Sequence, residues 1–159
     1  MRRFGAHVAR APEHRRSDAE LVAYLFDTDA LSEPLRRRPL KSYIRWLETV
    51  PPTEQFASAV SIGELFKGAC RVTEAARHLR NIETLVLSAV TVLPYDVAVA
   101  RVFGEIDAAL ERRGECLADA DVQIAATAIY HGLELVTGNV GHFERIPGLR
   151  LNRSLADAR

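Results

Sequence analysis

The sequence lacks an excess of charge of either sign. Among its 159 residues, 21 Lys and Arg side chains balance 21 Asp and Glu side chains, so the formal net charge is zero. A protein without a net positive field cannot attract nucleic acid by its overall charge. Any binding of nucleic acid must therefore use a local patch of basic side chains.

Cysteine and long apolar runs are also scarce. The two cysteines, Cys70 and Cys116, lie far apart and match no metal-binding spacing, which favours a reducing, cytoplasmic setting. No apolar run approaches the length of a membrane span, and we expect no membrane partner. Hydrophobic residues still make up 48% of the chain, which is enough to bury the core of one ordinary domain.

The first 20 residues differ in character from the rest. They contain five arginines and two histidines, and no secretory hydrophobic region follows the arginines. We interpret residues 1–20 as a flexible extension that precedes a single domain over residues 21–159. A basic arm that contacts RNA is the alternative, and both stay open on the sequence alone.

From residue 21 onward, short apolar runs alternate with stretches of helical periodicity. Strands are predicted at 21–26, 56–60, 91–93, 133–137 and 149–152. Helices are predicted at 39–50, 61–72, 73–89 and 120–132, with another that contains Val99, Ile106 and Leu110 and that Gly114 ends. This alternation predicts an α/β layer fold with a mostly parallel sheet.

Polar side chains follow most of these strands directly. In sheets of this type, ligands bind outside the carboxyl ends of the strands, so these side chains are candidates for a site. They are Asp27 and Asp29 after the first strand, Ser61 and Glu64 after the second, Asp96 after the third, and Thr137 and Asn139 after the fourth. Asp119 and Asp121 open the helix at 120–132, whose first turn can point to the same edge.

Helix capping explains several of these acids without any chemistry. Asp27 and Asp96 stand directly before helices, where an aspartate commonly caps the first turn. Ser61 and Glu64 have the spacing of a capping box. Asp119 is the natural N-cap if its helix begins at the next residue.

Asp121 is harder to explain as a cap. It shares one helical stripe with Ile124, Ala125 and Ala128, which are apolar or small and should pack closely on the sheet. A carboxylate on this inward stripe should lie over the edge of the sheet. A buried charge there is costly unless it is paired or bound to a metal.

The topology brings three carboxylates, those of Asp27, Glu64 and Asp121, to one edge of the sheet. Like charges that lie close together repel unless a cation intervenes. Ligand sets made only of oxygen favour Mg²⁺ or Mn²⁺ over zinc. The sequence therefore predicts a site for a hard divalent ion that could activate water against a phosphodiester.

Four stretches of the chain match a family pattern. They are LFDTDALSEPLRRRP, ASAVSIGELFKGA, LADADVQIAATAIYHGLELVTGNVGHFERIPGLRL and, more loosely, VLPYDVAVARVFGEI. On these stretches the chain resembles the PIN-domain ribonucleases of the VapC toxin family, from bacterial type II toxin–antitoxin systems. The resemblance implies a three-layer α/β/α sandwich, a homodimer, and an endoribonuclease that uses Mg²⁺ or Mn²⁺ to activate water. It also implies a VapB-like antitoxin that blocks the site.

The family's functional positions can be carried over residue by residue. Its catalytic and metal-binding acids fall on Asp27, Glu64 and Asp121. The supporting positions fall on Thr28, Thr137, Ser58 and Asn139. Many relatives have an aspartate at the position of Asn139, so the resemblance implies only a weaker fourth contact to a metal there. The role of Asp29 stays open.

A phosphatase of the haloacid dehalogenase type is one alternative. In that family, Asp27 would be the phosphorylated nucleophile and Asp29 the acid/base of an Asp-x-Asp motif. The family also needs a lysine late in the chain, and no lysine follows Lys67.

A non-catalytic PIN-like module that binds RNA or protein is the second alternative. In such a module the acids would only cap helices, and the inward stripe of Asp121 counts against it. His142 is expected not to be a metal ligand, because no second histidine is spaced to pair with it. The arginines at 36–38 could guide an RNA backbone or lie on a solvated face.

Overall fold

A parallel sheet of five strands forms the centre of the structure, a computed structural model that describes residues 22–159. The strands are β1 (Tyr24–Phe26), β2 (Gln55–Ser58), β3 (Thr91–Leu93), β4 (Glu134–Val136) and β5 (Arg150–Asn152). Their order in the sheet is β3-β2-β1-β4-β5, and every neighbouring pair is parallel. The carboxyl ends of all five strands therefore lie at one edge.

Helices connect the strands. They are α1 (Thr28–Ser32), α2 (Lys41–Leu47), α3 (Ala59–Cys70), α4 (Ala75–Asn81), α5 (Val97–Arg112), α6 (Asp119–His131) and α7 (Val140–Phe143). Short 3₁₀ turns lie at Glu33–Leu35, Pro52–Glu54 and Ala156–Ala158. As predicted, a glycine with positive φ follows α5: Gly114 has a φ of 69°.

The two faces of the sheet bury separate hydrophobic cores. Leu25 and Leu135 point into a core shared with α5 and α6. Their neighbours Phe26 and Val136 point the opposite way, into a core shared with α1 to α4. Successive strand residues alternate between faces, and burial of each such side chain contributes about 1.5–3 kcal/mol. The predicted α/β/α sandwich with its parallel sheet is confirmed.

Several predicted boundaries differ from the structure. The helix predicted at 73–89 begins at Ala75, and after Asn81 it continues as a π-helical turn, Ile82–Val86. In this wider turn the N–H of Leu87 donates to the carbonyl of Ile82 over 3.0 Å, and Ile82 and Val86 are both buried. The predicted helix at 61–72 begins earlier, at Ala59.

The predicted extension over residues 1–20 lies outside the described residues, and the single domain over 21–159 stays a prediction. In the part of the chain that the structure describes, no helix has both the length and the apolar character needed to cross a membrane.

Candidate active site

A cavity of about 170 Å³ opens where β1 and β4 end. Four carboxylates line it together with one hydroxyl, one amide and two apolar side chains. These residues are Asp27, Asp29, Glu64, Asp121, Thr28, Asn139, Ile124 and Phe143. The topology thus brings together the three acids that the sequence predicted, although they come from three different connections after the strands.

Asp27 is both a helix cap and a wall of the cavity. Its Oδ1 accepts a hydrogen bond from the N–H of Ala30 at 2.9 Å, and its side chain is only 5% exposed. Burial raises the pKa of Asp27 well above its usual range, and the hydrogen bond and negative charge of Asp29 raise this pKa further. The hydrogen bonds with Thr137 and Ala30 act in the opposite direction without reversing the shift.

Both carboxylate oxygens of Asp29 have donors from elsewhere in the chain. Oδ1 accepts from the N–H of Gly138 at 3.3 Å, and Oδ2 accepts from Nη2 of Arg159 at 2.7 Å. Burial by itself would raise the pKa of Asp29, but hydrogen bonds from Asp27, Gly138 and Arg159 outweigh burial and lower it. Asp29 is thus a charged carboxylate held from two sides, which the sequence did not predict.

Glu64 is not part of a capping box, and that interpretation was wrong. Helix α3 begins at Ala59, and its cap is Ser58, whose Oγ accepts from the N–H of Ser61 at 3.0 Å. The earlier start places Glu64 in the second turn, clear of the cap. There its Oε2 accepts a 2.5 Å hydrogen bond from Oγ1 of Thr28 across the cavity.

Asp121 lies on the inward stripe of α6, as its spacing predicted. The stripe residues Ile124, Ala125 and Ala128 are buried, while Asp121 faces the cavity. Asp119 does not cap the helix, because α6 begins at Asp119 itself and Ala118 occupies the cap position without a side-chain hydrogen bond.

His142 contacts Asp121 in a way that the sequence did not predict. Its Nε2 lies 2.8 Å from Oδ2 of Asp121, and both side chains are about one-third exposed. The two residues are 21 positions apart in different elements, so no local spacing marks the pair. The contact fixes the orientation of the carboxylate from outside the cavity.

The supporting positions divide into two groups. Thr28 and Asn139 line the cavity, and the buried Thr137 accepts the N–H of Asn139 at 3.0 Å while hydrogen-bonding with Asp27. Ser58 is also buried, but its described contacts are with Ser61. We therefore assign Ser58 to the capping of α3.

The side chains of the cavity decide whether a divalent ion fits there. Within residues 22–159, no group of three His, Cys, Asp or Glu side chains has an arrangement that could hold a metal ion directly. Glu64 and Asp121 are engaged with Thr28 and His142. Mg²⁺, however, keeps several waters and binds through one or two carboxylates. The four carboxylates and the hydroxyl of Thr28 supply oxygen ligands that fit that mode of binding.

A larger groove of about 460 Å³ adjoins the cavity through Thr28 and Glu64. Three basic side chains, those of Arg36, Arg37 and His78, contribute to its walls. Nε of Arg36 lies 3.0 Å from Oε2 of the buried Glu33, so Arg36 is held in place. Arg36 and Arg37 thus place positive charge beside the cavity, part of which the carboxylate of Glu33 offsets.

Comparison with known proteins finds a family and close structural relatives. The PIN domain family matches residues 24–149. The chain is 33% identical over 130 residues to Ribonuclease VapC2 of Haemophilus influenzae, which covers 82% of this chain and 96% of the relative. It is 31% identical to the tRNA(fMet)-specific endonuclease VapC of Salmonella typhimurium. That match covers 82% of this chain and 97% of the relative.

A solved structure matches as well. The chain superposes on DNA-bound VapBC from Salmonella typhimurium with a TM-score of 0.76 at 31% identity, over 82% of this chain and 97% of that one. These comparisons count against the phosphatase alternative. The engaged carboxylate of Asp29, which would have to act as a free acid/base, counts against it too.

Proposed function

The chain belongs to the PIN-domain family, and from this premise we propose that it is a metal-dependent endoribonuclease that acts as the toxin of a type II toxin–antitoxin pair. One observation carries the proposal. The three acids at the family's motif positions, Asp27, Glu64 and Asp121, line one cavity at the carboxyl edge of the sheet. Two relatives that are 31–33% identical over most of the chain are named as a ribonuclease and as a tRNA(fMet)-specific endonuclease.

In this proposal Asp27 and Asp121 hold Mg²⁺ or Mn²⁺, and Glu64 binds the ion or its water. When bound, such an ion lowers the pKa of water and offsets charge on a phosphodiester. The chain's own residues set the geometry around it. Thr28 holds Glu64 through the 2.5 Å hydrogen bond, and His142 holds Asp121 through the 2.8 Å contact.

The RNA strand is proposed to run from the cavity into the adjoining groove. Arg37 is exposed on the wall of this groove, while Arg36 is held by Glu33. Each arginine that contacts a phosphate adds salt-sensitive affinity without reading the base sequence. We propose tRNA as the first substrate class to examine, because one relative is named for tRNA(fMet).

The partners follow from the same family. We propose a VapB-like antitoxin as the inhibitor, because the superposed relative is a VapBC structure. A homodimer and a cytoplasmic location remain predictions. Light scattering on the purified chain tests the dimer, and co-purification with the product of a neighbouring reading frame tests the antitoxin.

Cleavage of RNA by the chain freed of antitoxin tests the proposed function. We expect cleavage of tRNA or of unstructured RNA with Mg²⁺ or Mn²⁺, and none with EDTA. Asp121→Asn should lower the rate by about 100-fold or more, since catalytic electrostatics of this kind contribute that much. Asp119→Asn is the matched control, because it changes an exposed acid in the same turn of α6 that lies outside the cavity.

Two results would count against the enzyme. One is the absence of cleavage with either metal ion on both kinds of RNA. The other is equal activity of Asp121→Asn and Asp119→Asn, which would favour a non-catalytic module whose acids only cap helices.

A further inference from the structure

Arg159 binds one carboxylate of the acidic cavity, that of Asp29, although 130 positions separate the two residues. Its Nη2 donates to Oδ2 of Asp29 at 2.7 Å, and the N–H of Gly138 donates to Oδ1 at 3.3 Å. Each oxygen of this carboxylate therefore has a donor from a segment outside α1. No other carboxylate of the cavity is paired with an arginine among the salt bridges of residues 22–159.

The segment after β5 delivers Arg159 to this place. Leu155 is fully buried in the core beneath α1 to α4, and it anchors the 3₁₀ turn Ala156–Ala158 that leads to Arg159. The guanidinium then lies directly on Gly138, where a Cβ would overlap its carbon and nitrogen atoms. The close approach of the arginine thus depends on a glycine at position 138.

The contact bears on which carboxylates of the cavity can bind a metal. Asp27, Asp29, Glu64 and Asp121 all line the cavity. The carboxylate of Asp29 already accepts one hydrogen bond on each oxygen, so a cation would have to compete with these donors, of which the arginine forms a strong, charge-assisted bond. A second divalent ion in so small a space would need bridging carboxylates of this kind, because paired ions lie only about 3.5–4 Å apart.

We propose that Arg159 is a positioning residue that keeps Asp29 out of the metal-binding set, so that the cavity takes one divalent ion and not two. This inference rests on the proposed function, since it concerns the ion that Asp27 and Asp121 would hold. Arg159 acts here as an internal counter-ion that binds Asp29 from outside the residues that line the cavity.

Displacing Arg159 should therefore open a second metal site. Asp29 would then carry an unpaired charge into a cavity already lined by three other acids. Arg159→Gln removes the cation directly. Gly138→Ala keeps the arginine but adds the Cβ that pushes the flexible guanidinium aside, and both variants should have the same effect.

Calorimetric titration of the full chain, freed of antitoxin, with Mn²⁺ tests the proposal. The unchanged protein should bind one ion. Arg159→Gln and Gly138→Ala should bind two, the second at least about tenfold more tightly than any second ion in the unchanged protein. Arg153→Gln is the matched control, because Arg153 lies in the same segment and pairs with Asp157 and not with the cavity. This control should bind one ion.

The outcomes separate this inference from the proposed function. One ion in both variants, with unchanged affinity, would overturn the role of Arg159 and leave the ribonuclease proposal standing. Binding of two Mn²⁺ ions by the unchanged protein would also overturn the role of Arg159 and leave the ribonuclease proposal standing. No Mn²⁺ binding by the unchanged protein would overturn both. A rise in KM for RNA in Arg159→Gln with one bound ion would show instead that Arg159 contacts RNA, which would also overturn the inference.

Discussion

Replacing Asp27 by asparagine should stabilise the metal-free protein while it abolishes RNA cleavage. The Asp27 side chain is 5% exposed, and its neighbour Asp29 is a charged acid paired with Arg159. Burial and the proximity of Asp29 raise the pKa of Asp27, so its charged form is disfavoured in the folded state. A neutral residue of the same shape removes that cost.

The contacts of Asp27 determine how much stability Asp27→Asn should gain. Asparagine keeps the Oδ1 that accepts the N–H of Ala30, and Asn and Asp cap helices about equally well. Its amide can also donate to Asp29, as the protonated form of Asp27 does. What changes is the burial of a charge beside the charge of Asp29, and removing it should raise the free energy of unfolding by about 1–3 kcal/mol at pH 7.5.

The difference in stability between Asp27→Asn and the unchanged protein should increase with pH. Because the pKa of Asp27 is raised in the folded state, the folded protein binds this proton more tightly than the unfolded chain does. The contribution of Asp27 to the stability of the unchanged protein is therefore fully present below its unfolded pKa of about 3.9, and it is lost as pH rises through the folded value. Asp27→Asn lacks this fall, so its advantage should grow from pH 5 to pH 7.5.

Urea unfolding followed by circular dichroism in EDTA measures this difference. A second series with Mn²⁺ at 100 times its Kd should stabilise the unchanged protein by about 2.7 kcal/mol, and the variant by much less. Asp96→Asn is the control, because Asp96 caps α5 through Val99 outside the cavity. This control should stay within about 0.5 kcal/mol.

The reasoning would be refuted if Asp27→Asn were less stable than the unchanged protein in EDTA at pH 7.5. It would also be refuted if the difference between the two proteins did not change with pH.

Two further predictions concern the surroundings of the cavity. Leu155→Ala should lower the free energy of unfolding by about 2–5 kcal/mol, because Leu155 is fully buried; Val97→Ala, at an 84% exposed position, should change it by less than about 0.5 kcal/mol in the same urea titration. His142→Ala should lower the rate of RNA cleavage by about 10–100-fold, because Asp121 loses its orienting partner. An unchanged rate in a folded His142→Ala protein would show that this contact has no part in catalysis.

The fold could be predicted from the sequence because its signals are local. The alternation of apolar runs and helical periodicity indicated all five strands, and β3 has the bounds that were predicted for it. Each of the other strands differs from its prediction at one end at least, because a strand ends where its neighbours stop offering hydrogen bonds. For β2 this is Ser58, whose hydroxyl also starts the next helix.

The same local competition explains the error at Glu64. Ser58 and Ser61 can both cap a helix, and the pattern Ser-x-x-Glu favoured Ser61. In the structure the hydroxyl of Ser58 accepts a hydrogen bond from the N–H of Ser61, so the helix starts about a turn earlier. Glu64 then takes no part in the cap, and its carboxylate accepts a hydrogen bond from Thr28. Asp121 was placed correctly because its three apolar partners share its own helix.

The sequence by itself determined which acids stand at strand ends and which helix face carries Asp121, since both follow from the period of the backbone. Only the tertiary structure decided how those acids are held. Asp29 meets Gly138 and Arg159, and Asp121 meets His142, across gaps of 21 to 130 positions that no periodicity spans. Hydrogen bonds and charge pairs act over a few ångströms in space, and only the folded chain sets those distances.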